Sequence, residues 1–417
     1  MQVYKFGGAS VKSADAVRNA LNIISLCDDN LVLIVSAMGK TTNALEELLG
    51  KYYSGKEFKN AFKTVFEYHF EIINLLFDPK SSVFETVNLI FNKLKEKLES
   101  PVSENYDKEY DEIVSVGEIL STTIVSYYLN ENNITNKLLD AREIVETDSN
   151  FRAAKVDFEK TAINLKTTVN FNEYKVYIIQ GFIASDENNS PTTLGREGSD
   201  YTAAIVANIL SASELTLWKD VDGIYNADPK LIDNVIKLNE ISFREATELA
   251  YFGAKVIHSK TAKPLMNKGI KLTVRSFLNY DSAGTTVGDF EAKISPLVPI
   301  FIFKNNQVLL TISAKEFEFI DERIFERIFS ILNKFKIKIN LMQNSALNLS
   351  ICFDYNPNDF NKFLSAVGEE FNYKYNQDLT LITIRHYTEE TIQKLTKGKQ
   401  IKLEQKSRIN AFYLVEN

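Results

Sequence analysis

The chain has 417 residues, of which 45% are hydrophobic and 25% are charged, and its formal net charge is −7 at neutral pH. At about 100–200 residues per domain, this length predicts two to four domains. The composition excludes a disordered chain, the mild acidity argues against a nucleic-acid binder driven by overall charge, and the sequence has no apolar run of about 18 residues that would predict a membrane span.

The cysteines and histidines exclude several further classes of protein. Cys27 and Cys352 lie far apart, and the three histidines are scattered along the chain. This distribution excludes a disulfide framework, a zinc ribbon and an HExxH metal site. The N-terminus also lacks the apolar segment of a signal peptide. We therefore expect a cytoplasmic protein.

Residues 1–290 are predicted to alternate between strands and helices. A β-prone run at residues 3–6 ends at Gly7-Gly8, and residues 31–35 form an apolar run typical of a strand buried on both faces. Residues 56–99 follow helical spacing and predict a helical insertion. Further strands are predicted at 137–140, 175–180, 214–219 and 271–276, and further helices at 199–210, 242–251 and 258–267. This α/β pattern predicts a mainly parallel sheet with helices on both faces.

The pattern changes after a turn-rich stretch at residues 279–286, followed by Pro296 and Pro299, where we place a domain boundary. The next segment has the order βαββαβ, with its last strand predicted at 373–375, and this order is typical of a ferredoxin-like plait. A shorter round follows, beginning with a strand predicted at 379–384. It lacks one helix, which indicates a partial repeat. The predicted domains are therefore residues 1–290, 298–378 and 379–417.

The first motif with chemical potential is KFGGAS at residues 5–10, between the first strand and the first helix. Gly7 and Gly8 allow a backbone N–H to approach an anion, and a helix start favours negative charge. Lys5 adds a point charge. The motif is neither GxxxxGK[ST] nor GxGxxG, so it predicts a phosphate site of another kind. The alternative is a tight turn with an exposed lysine.

Two longer motifs add polar groups near helix starts and strand ends. In TLGREGSDYTAA (residues 193–204), capping accounts for Ser199 and Asp200 but not for Arg196, whose guanidinium suits a carboxylate. The motif WKDVDGIYNADPK (residues 218–230) follows a predicted strand, where open α/β sheets bind ligands. Its aspartates and lysines suit a nucleotide and its metal, and the alternative is a solvated polar loop.

Together these motifs resemble the aspartate kinases (aspartokinases) of the amino acid kinase superfamily. The other matching segments, in the family's order, are VSAMGKTTNAL (35–45), VSVGEILS (114–121), QGFI (180–183) and FGAKVIH (252–258). The C-terminal βαββαβ segment looks like the family's ACT regulatory region, and NLMQNS (340–345) is similar to its effector loop. Because no GxGxxG domain follows residue 417, we expect a monofunctional member.

The resemblance implies transfer of the ATP γ-phosphoryl group to the β-carboxylate of L-aspartate. The product would be 4-phospho-L-aspartate, in the first step of lysine, threonine and methionine synthesis. The acceptor is already a carboxylate, so catalysis requires positioning and charge stabilisation rather than a general base. Two alternatives stay open: another amino acid kinase, of the acetylglutamate or glutamate type, and a non-catalytic, aspartokinase-like regulatory binding subunit.

The resemblance also implies roles for individual residues. Lys5 would neutralise the transferred phosphoryl group, and Asp200 would orient Lys5. The expected aspartate-binding residues are Ser36, Thr42, Glu118 (for the α-ammonium), Phe182, Arg196 (for the α-carboxylate) and Ser199. The expected ATP-binding residues are Lys5, Gly7, Gly8, Lys219, Asp220, Tyr225, Lys230 and Lys255. Mg²⁺ is expected mainly on ATP oxygens and water, so we expect no side chain to be a metal ligand.

For the C-terminal region, the resemblance implies binding of lysine or threonine as an effector and a homodimer formed through the ACT region. The expected effector-binding residues are Met342, Gln343, Asn344 and Ser345. We expect neither a nucleic-acid nor a membrane partner. The chain departs from the family's usual residues at Ala9, Glu197, Lys219, Lys230 and Ser259. None of these departures removes a charge that the implied reaction requires.

Overall fold

The computed structural model describes residues 1–254, 257–291, 293–357 and 359–416. The strands are β1 Gln2–Phe6, β2 Leu31–Val35, β3 Asn136–Leu139, β4 Glu146–Thr147, β5 Val176–Gln180, β6 Ile183–Asp186, β7 Pro191–Thr193, β8 Glu214–Lys219, β9 Ile224–Tyr225, β10 Lys237–Leu238, β11 Glu240–Ser242, β12 Lys271–Ser276, β13 Thr285–Gly288, β14 Ile294–Ser295, β15 Ile300–Ala314, β16 Ile339–Asn344, β17 Leu349–Asp354, β18 Phe371–Arg385, β19 Ile401–Lys406 and β20 Asn410–Glu416. The α-helices are α1 Ala14–Ser25, α2 Thr41–Tyr53, α3 Lys59–Leu76, α4 Val83–Glu99, α5 Tyr106–Glu131, α6 Ala141–Ile144, α7 Phe158–Thr168, α8 Gly198–Ile209, α9 Phe243–Phe252, α10 Ser259–Met266, α11 Glu322–Lys334, α12 Phe360–Glu370 and α13 Glu389–Thr396.

The chain divides into two compact units. The first unit consists of residues 1–224, 237–247 and 256–296, and the second of residues 225–236, 248–255 and 297–417. Two short segments that precede residue 290 in the sequence therefore belong to the second unit. The division into three domains at 1–290, 298–378 and 379–417 stays a prediction.

Within the described residues, the first unit is built on a nine-stranded sheet of order β14-β11-β13-β12-β8-β1-β2-β5-β3. The six strands from β12 to β3 are mutually parallel, whereas β13 and β14 pair antiparallel with their neighbours β12 and β11. All five residues of β2 are buried, as expected for a strand covered on both faces. The prediction of a mainly parallel sheet with helices is confirmed.

Helices α1, α3 and α4 of the first unit each bury one face, on which their apolar residues recur. Helix α1 begins at Ser13, whose side chain accepts a hydrogen bond from the backbone N–H of Ala16. The predicted insertion forms two helices, α3 and α4, and it packs residues such as Val65 and Phe91 into the main core. A small sheet of order β4-β6-β7 was not predicted, because its strands have only two to four residues.

The second unit contains an antiparallel sheet of order β16-β17-β15-β18-β20-β19. Helices α11 and α12 cover one half of the sheet, with Ile328 and Phe363 in their shared core. Helix α13 covers the other half through Ile392, which packs with Ile382 and Tyr413. The arrangement agrees with the predicted ferredoxin-like region and the shorter round after it.

Two long strands, β15 and β18, run through both halves of this sheet. Residues 300–304 of β15 pair with residues 381–385 of β18, and residues 309–314 pair with 371–376. The sequence predicted separate strands at 373–375 and 379–384, but the two are one strand that continues through Asp378, whose φ is 56°. The first segment of β15 therefore supplies the second half with a strand from residues that the sequence prediction placed in the module 298–378.

Candidate active site

The loops after β1 and β2 contact each other directly at the carboxyl end of the sheet. The backbone N–H of Gly39 donates a hydrogen bond to the carbonyl oxygen of Gly8 at 3.0 Å. A Cβ atom on Gly8 would lie 2.7 Å from the Gly39 oxygen and 2.8 Å from the Ala37 oxygen. Only glycine at position 8 allows this approach, which brings the two predicted binding loops together.

A cluster of two lysines and one aspartate lies beside these loops. The Nζ atom of Lys5, on β1, is 2.6 Å from Oδ1 of Asp200, in the first turn of α8, and Nζ of Lys219 is 3.5 Å from the other carboxylate oxygen. Burial alone would raise the pKa of Asp200, but the two ammonium groups outweigh it and hold the pKa below its usual value. Lys219, one of the departures from the family's usual residues, thus joins the predicted catalytic pair.

This cluster opens into a cavity of about 470 Å³. The lining residues are Lys5, Gly8, Ser36, Ala37, Gly39, Thr42, Tyr110, Glu118, Arg152, Phe182, Thr193, Gly195, Arg196, Glu197, Gly198, Ser199 and Asp200. The cavity therefore brings together both expected catalytic residues and all six expected aspartate-binding residues. Gly7, Lys219, Asp220, Tyr225 and Lys230, which are also expected to bind ATP, are not part of its lining.

Glu118 provides a buried carboxyl group at the cavity. Its Oε1 accepts a hydrogen bond from the backbone N–H of Ala37 at 3.3 Å, whereas its Oε2 has no hydrogen-bond partner among the described residues. Burial raises the pKa of Glu118 to about 8. Because an unpaired buried oxygen is costly, this group suits a ligand that brings a hydrogen-bond donor, such as an ammonium group.

The loop before α8 carries Arg196 and Glu197, both of which are exposed. Glu197 occupies the N-cap position with a φ of 56°, and it lines the cavity despite its exposure. Phe182, on the facing loop, also has a positive φ, and its N–H donates a hydrogen bond to Oγ1 of Thr202. The guanidinium group of Arg196 is thus available to an anionic ligand.

The other expected nucleotide-binding residues lie in different parts of the chain. Asp220 is exposed in the loop after β8, in the first unit. Tyr225 and Lys230 belong to the second unit, where Lys230 is exposed. Lys255 lies outside the described residues. A nucleotide site formed by these residues stays a prediction.

Two lining residues, Tyr110 and Arg152, lie outside every motif of the sequence analysis and were missed. The Arg152 guanidinium lies over the Tyr110 ring at 4.3 Å, and its Nη1 is 3.2 Å from Oδ1 of Asp107. Neither residue belongs to a glycine-rich motif, and the two meet only in the folded chain. No local signal in the sequence marks them.

Asp111, beside Tyr110 on α5, is fully buried and was also missed. Its carboxylate accepts hydrogen bonds from the backbone N–H groups of Arg152 and Thr193, each at 2.9 Å, and from the Thr193 hydroxyl at 2.6 Å. Burial raises the pKa of Asp111 to about 6, although these donors oppose the shift. Asp111 therefore ties two cavity-lining segments to one helix.

The second unit has a cavity of about 620 Å³ on its sheet. Three of the expected effector residues, Gln343, Asn344 and Ser345, line it, whereas Met342 is exposed on β16 and is not part of the lining. Hydroxyl and amide groups predominate, and Lys374 is a lining cation. The structure brings these expected residues to one polar surface.

The described residues contain no group of three or more histidine, cysteine, aspartate or glutamate side chains placed to hold a metal ion. In the same part of the chain, no helix combines the length and the apolar character needed to span a membrane.

Comparison with known proteins agrees with this geometry. A model of the amino acid kinase family matches residues 1–276. Lysine-sensitive aspartokinase 3 of Escherichia coli is 33% identical over 356 residues, which cover 84% of this chain and 78% of that protein. The chain belongs to the aspartate kinases of the amino acid kinase family.

The solved structures of this family confirm the fold. E. coli aspartokinase III in complex with aspartate and ADP (R-state) superimposes with a TM-score of 0.83 and 26% identity, covering all of this chain and 96% of that one. The same protein in complex with lysine and aspartate (T-state) gives a TM-score of 0.82. Among the aspartate kinases, a chloroplastic bifunctional aspartokinase/homoserine dehydrogenase 2 of Arabidopsis thaliana is 29% identical over 386 residues. The chain spans about two fifths of the length of that bifunctional relative (42%).

Proposed function

We propose that the chain transfers the γ-phosphoryl group of ATP to the β-carboxylate of L-aspartate and forms 4-phospho-L-aspartate. The observation that carries this proposal is the single cavity lined at once by Lys5, Glu118 and Arg196. These groups provide one cation for a phosphoryl group, one carboxyl for an ammonium and one guanidinium for a carboxylate. Aspartate presents the two groups that the last two residues recognise, and it leaves its β-carboxylate free to react.

On the acceptor side, Glu118 receives the α-ammonium group and Arg196 the α-carboxylate. The unpaired Oε2 of Glu118 gains a donor when the ammonium binds, which lowers the cost of its burial. Ser36, Thr42, Phe182 and Ser199 complete the pocket. Binding the α-groups in this way orients the β-carboxylate for reaction.

On the phosphoryl side, Lys5 stabilises the charge that develops during transfer. A β-carboxylate oxygen attacks the γ-phosphorus, the bond from that phosphorus to the bridging oxygen breaks, and ADP leaves with the electron pair. No proton moves in this step, so no general base is required. Oδ1 of Asp200 lies 2.6 Å from the Lys5 ammonium, and the other carboxylate oxygen of Asp200 lies 3.5 Å from the Lys219 ammonium.

ATP and Mg²⁺ are part of the proposal. Support for the nucleotide comes from the ADP complex of the E. coli relative. Gly7 and Gly8 would approach the phosphates, and Asp220, Tyr225, Lys230 and Lys255 stay the predicted nucleotide-binding residues. Asp200 is taken by two lysines, which suits a Mg²⁺ ion held by ATP oxygens and water rather than by this carboxylate. When bound, Mg²⁺ neutralises phosphate charge.

We also propose lysine as the effector, with threonine as the alternative. Support comes from the lysine-sensitive E. coli relative and its lysine complex, and from the position of Gln343, Asn344 and Ser345 around one polar cavity. A homodimer formed through the C-terminal region stays a prediction.

Trapping of acyl phosphate with hydroxylamine tests the proposed reaction. Purified protein is incubated with ATP, Mg²⁺ and either aspartate, glutamate or acetylglutamate, each with and without lysine or threonine. We expect hydroxamate with aspartate alone, and less of it when lysine is added. Signal with another acceptor would identify a different amino acid kinase. Absence of signal from folded protein would favour the non-catalytic binding subunit.

A further inference from the structure

Two chain segments that line the cavity of the first unit are joined at one buried carboxylate. The first segment contains Arg152, in the loop after β4, and the second contains Thr193, at the end of β7. Oδ2 of Asp111 accepts the backbone N–H of both residues at 2.9 Å, and its Oδ1 accepts the Thr193 hydroxyl at 2.6 Å. Asp111 itself is fully buried on α5 and is not part of the cavity lining.

The two segments also contact each other next to Arg196. Gly195 has a φ of 75°, and a Cβ atom at this position would lie 2.9 Å from the carbonyl oxygen of Arg152. The backbone of Arg152 is therefore fixed on one side by Asp111 and packed on the other against Gly195. Since Gly195 directly precedes Arg196, the position of the Arg196 backbone depends on these contacts.

We propose that Asp111 is a positioning residue that holds Arg196 in the geometry needed to bind the acceptor's carboxylate. This inference rests on the proposed function, because Arg196 is the predicted ligand of the aspartate α-carboxylate. Asp111 acts at a distance from the substrate, through the Arg152 and Thr193 backbones. Its loss would leave the part-buried N–H of Arg152 and the buried N–H of Thr193 without an acceptor, and the loop carrying Arg196 would move to satisfy them.

Asp111→Ala, Asp111→Asn and wild type form the central series of the test. An asparagine amide oxygen accepts both N–H groups, and its NH₂ group donates to the Thr193 hydroxyl, so this variant retains the connection without the charge. We expect Asp111→Ala to raise the KM for aspartate by about tenfold or more and to leave the KM for ATP within about twofold. Asp111→Asn should restore the aspartate KM to within about threefold of wild type.

Glu109→Ala is the matched control. Glu109 is also a fully buried carboxylate of α5, and it binds Lys97 and the backbone N–H of Ser103, away from the cavity. We expect this variant to lower the melting temperature but to change the aspartate KM by less than about twofold. An equal rise in KM in Glu109→Ala and Asp111→Ala would show a general effect of damaging α5 and would overturn the proposal.

Amide hydrogen exchange gives a readout that does not depend on activity. Asp111→Ala should speed exchange at residues 148–154 and 191–196, and Glu109→Ala should not. If Asp111→Ala does not fold, Thr193→Val removes only the hydroxyl bond and should raise the aspartate KM by about threefold. Folded Asp111→Ala with wild-type exchange in both segments and an unchanged aspartate KM would overturn the proposal. If the wild type forms no aspartyl phosphate but Asp111→Ala still exchanges faster in these segments, the role of Asp111 in holding the two segments together would be supported and the proposed reaction refuted.

Discussion

A cavity lies in each of the two units, and the two cavities differ in what lines them. The cavity of the first unit, about 470 Å³, is lined by carboxylate, ammonium and guanidinium groups, several of them buried. The cavity of the second unit is larger, about 620 Å³, and it is lined mainly by hydroxyl and amide groups. The smaller cavity is the one for which we propose phosphoryl transfer.

The difference shows that buried charge marks the reactive site better than volume does. Keeping Asp200 ionised in the interior requires two lysines, and Glu118 retains an oxygen that has no partner among the described residues. Such arrangements are costly for a folded chain and are typical of functional sites. Neutral hydroxyl and amide groups on a sheet carry no comparable cost, and they suit reversible binding.

Lys5→Ala is expected to have the largest effect on the activity proposed for the first cavity, because it removes the cation closest to Asp200. We expect turnover to fall by about a thousandfold or more while the fold is retained. Hydroxamate formation measures the turnover, and circular dichroism measures the fold. Lys95→Ala, on the exposed face of α4, is the control and should behave as wild type. Turnover near that of wild type in folded Lys5→Ala would contradict the assignment of Lys5.

Arg196→Ala tests whether the charged cavity recognises the acceptor. We expect the KM for aspartate to rise about a hundredfold, because a guanidinium–carboxylate pair is lost, and the KM for ATP to change by only about threefold. Steady-state kinetics with each substrate varied in turn provide the measurement. A similar rise in both KM values would indicate that Arg196 is structural.

Glu118→Gln tests the unpaired buried carboxyl. The folded-state pKa of about 8 lies above the ordinary 4.5, so folded protein holds a proton that unfolded protein has released, and stability falls as pH rises through this window. The glutamine variant lacks this loss, so its melting temperature should exceed that of wild type increasingly from pH 5 to pH 8.

Binding of aspartate should improve with rising pH, whereas stability falls, because binding of the ammonium group requires ionised Glu118. In wild type, we expect the KM for aspartate to fall as pH rises from 6 to 8. In Glu118→Gln, it should be raised by about tenfold and should vary less with pH. An unchanged KM profile in the variant would remove Glu118 from the acceptor site.

Asn344→Ala addresses the second cavity and gives the smallest expected effect. We expect the lysine concentration for half-inhibition to rise by about threefold, since one neutral hydrogen bond is lost. Inhibition curves, each normalised to the uninhibited rate of the same variant, measure this shift. An unchanged curve would place the effector away from this cavity.

The sequence predicted the parts of the fold in which local pattern and burial agree. Residues 31–35 form the predicted strand because a continuous apolar run has no solvent-facing alternative. A break between two strands was predicted at residues 376–378 because Asn376, Gln377 and Asp378 are polar, and this prediction was wrong. In the structure, the strand continues through them, with Asp378 at a positive φ beside a register shift in β15.

The site was predicted where its residues lie in contiguous motifs. Lys5, Arg196 and Asp200 belong to glycine-rich segments, whose departure from ordinary helix and strand patterns is visible in one sequence. Arg152 and Asp111 have no such surroundings, and only tertiary contacts bring them together. The pairing of Lys219 with Asp200 was likewise hidden, because Lys219 ends β8 and Asp200 lies in the first turn of α8, and only the fold brings the two together.

The two strands shared by both halves of the second unit determine which parts of this region can be replaced or truncated. Residues 300–304 and 381–385 pair directly, so the inner half of the sheet is inserted between two paired strands of the outer half. We therefore expect that the inner half, with α11 and α12, can be replaced by that of a relative through two junctions, near residues 305 and 378. The outer half cannot be removed by trimming the C-terminus alone, because its first strand would stay behind and present an unpaired, apolar edge.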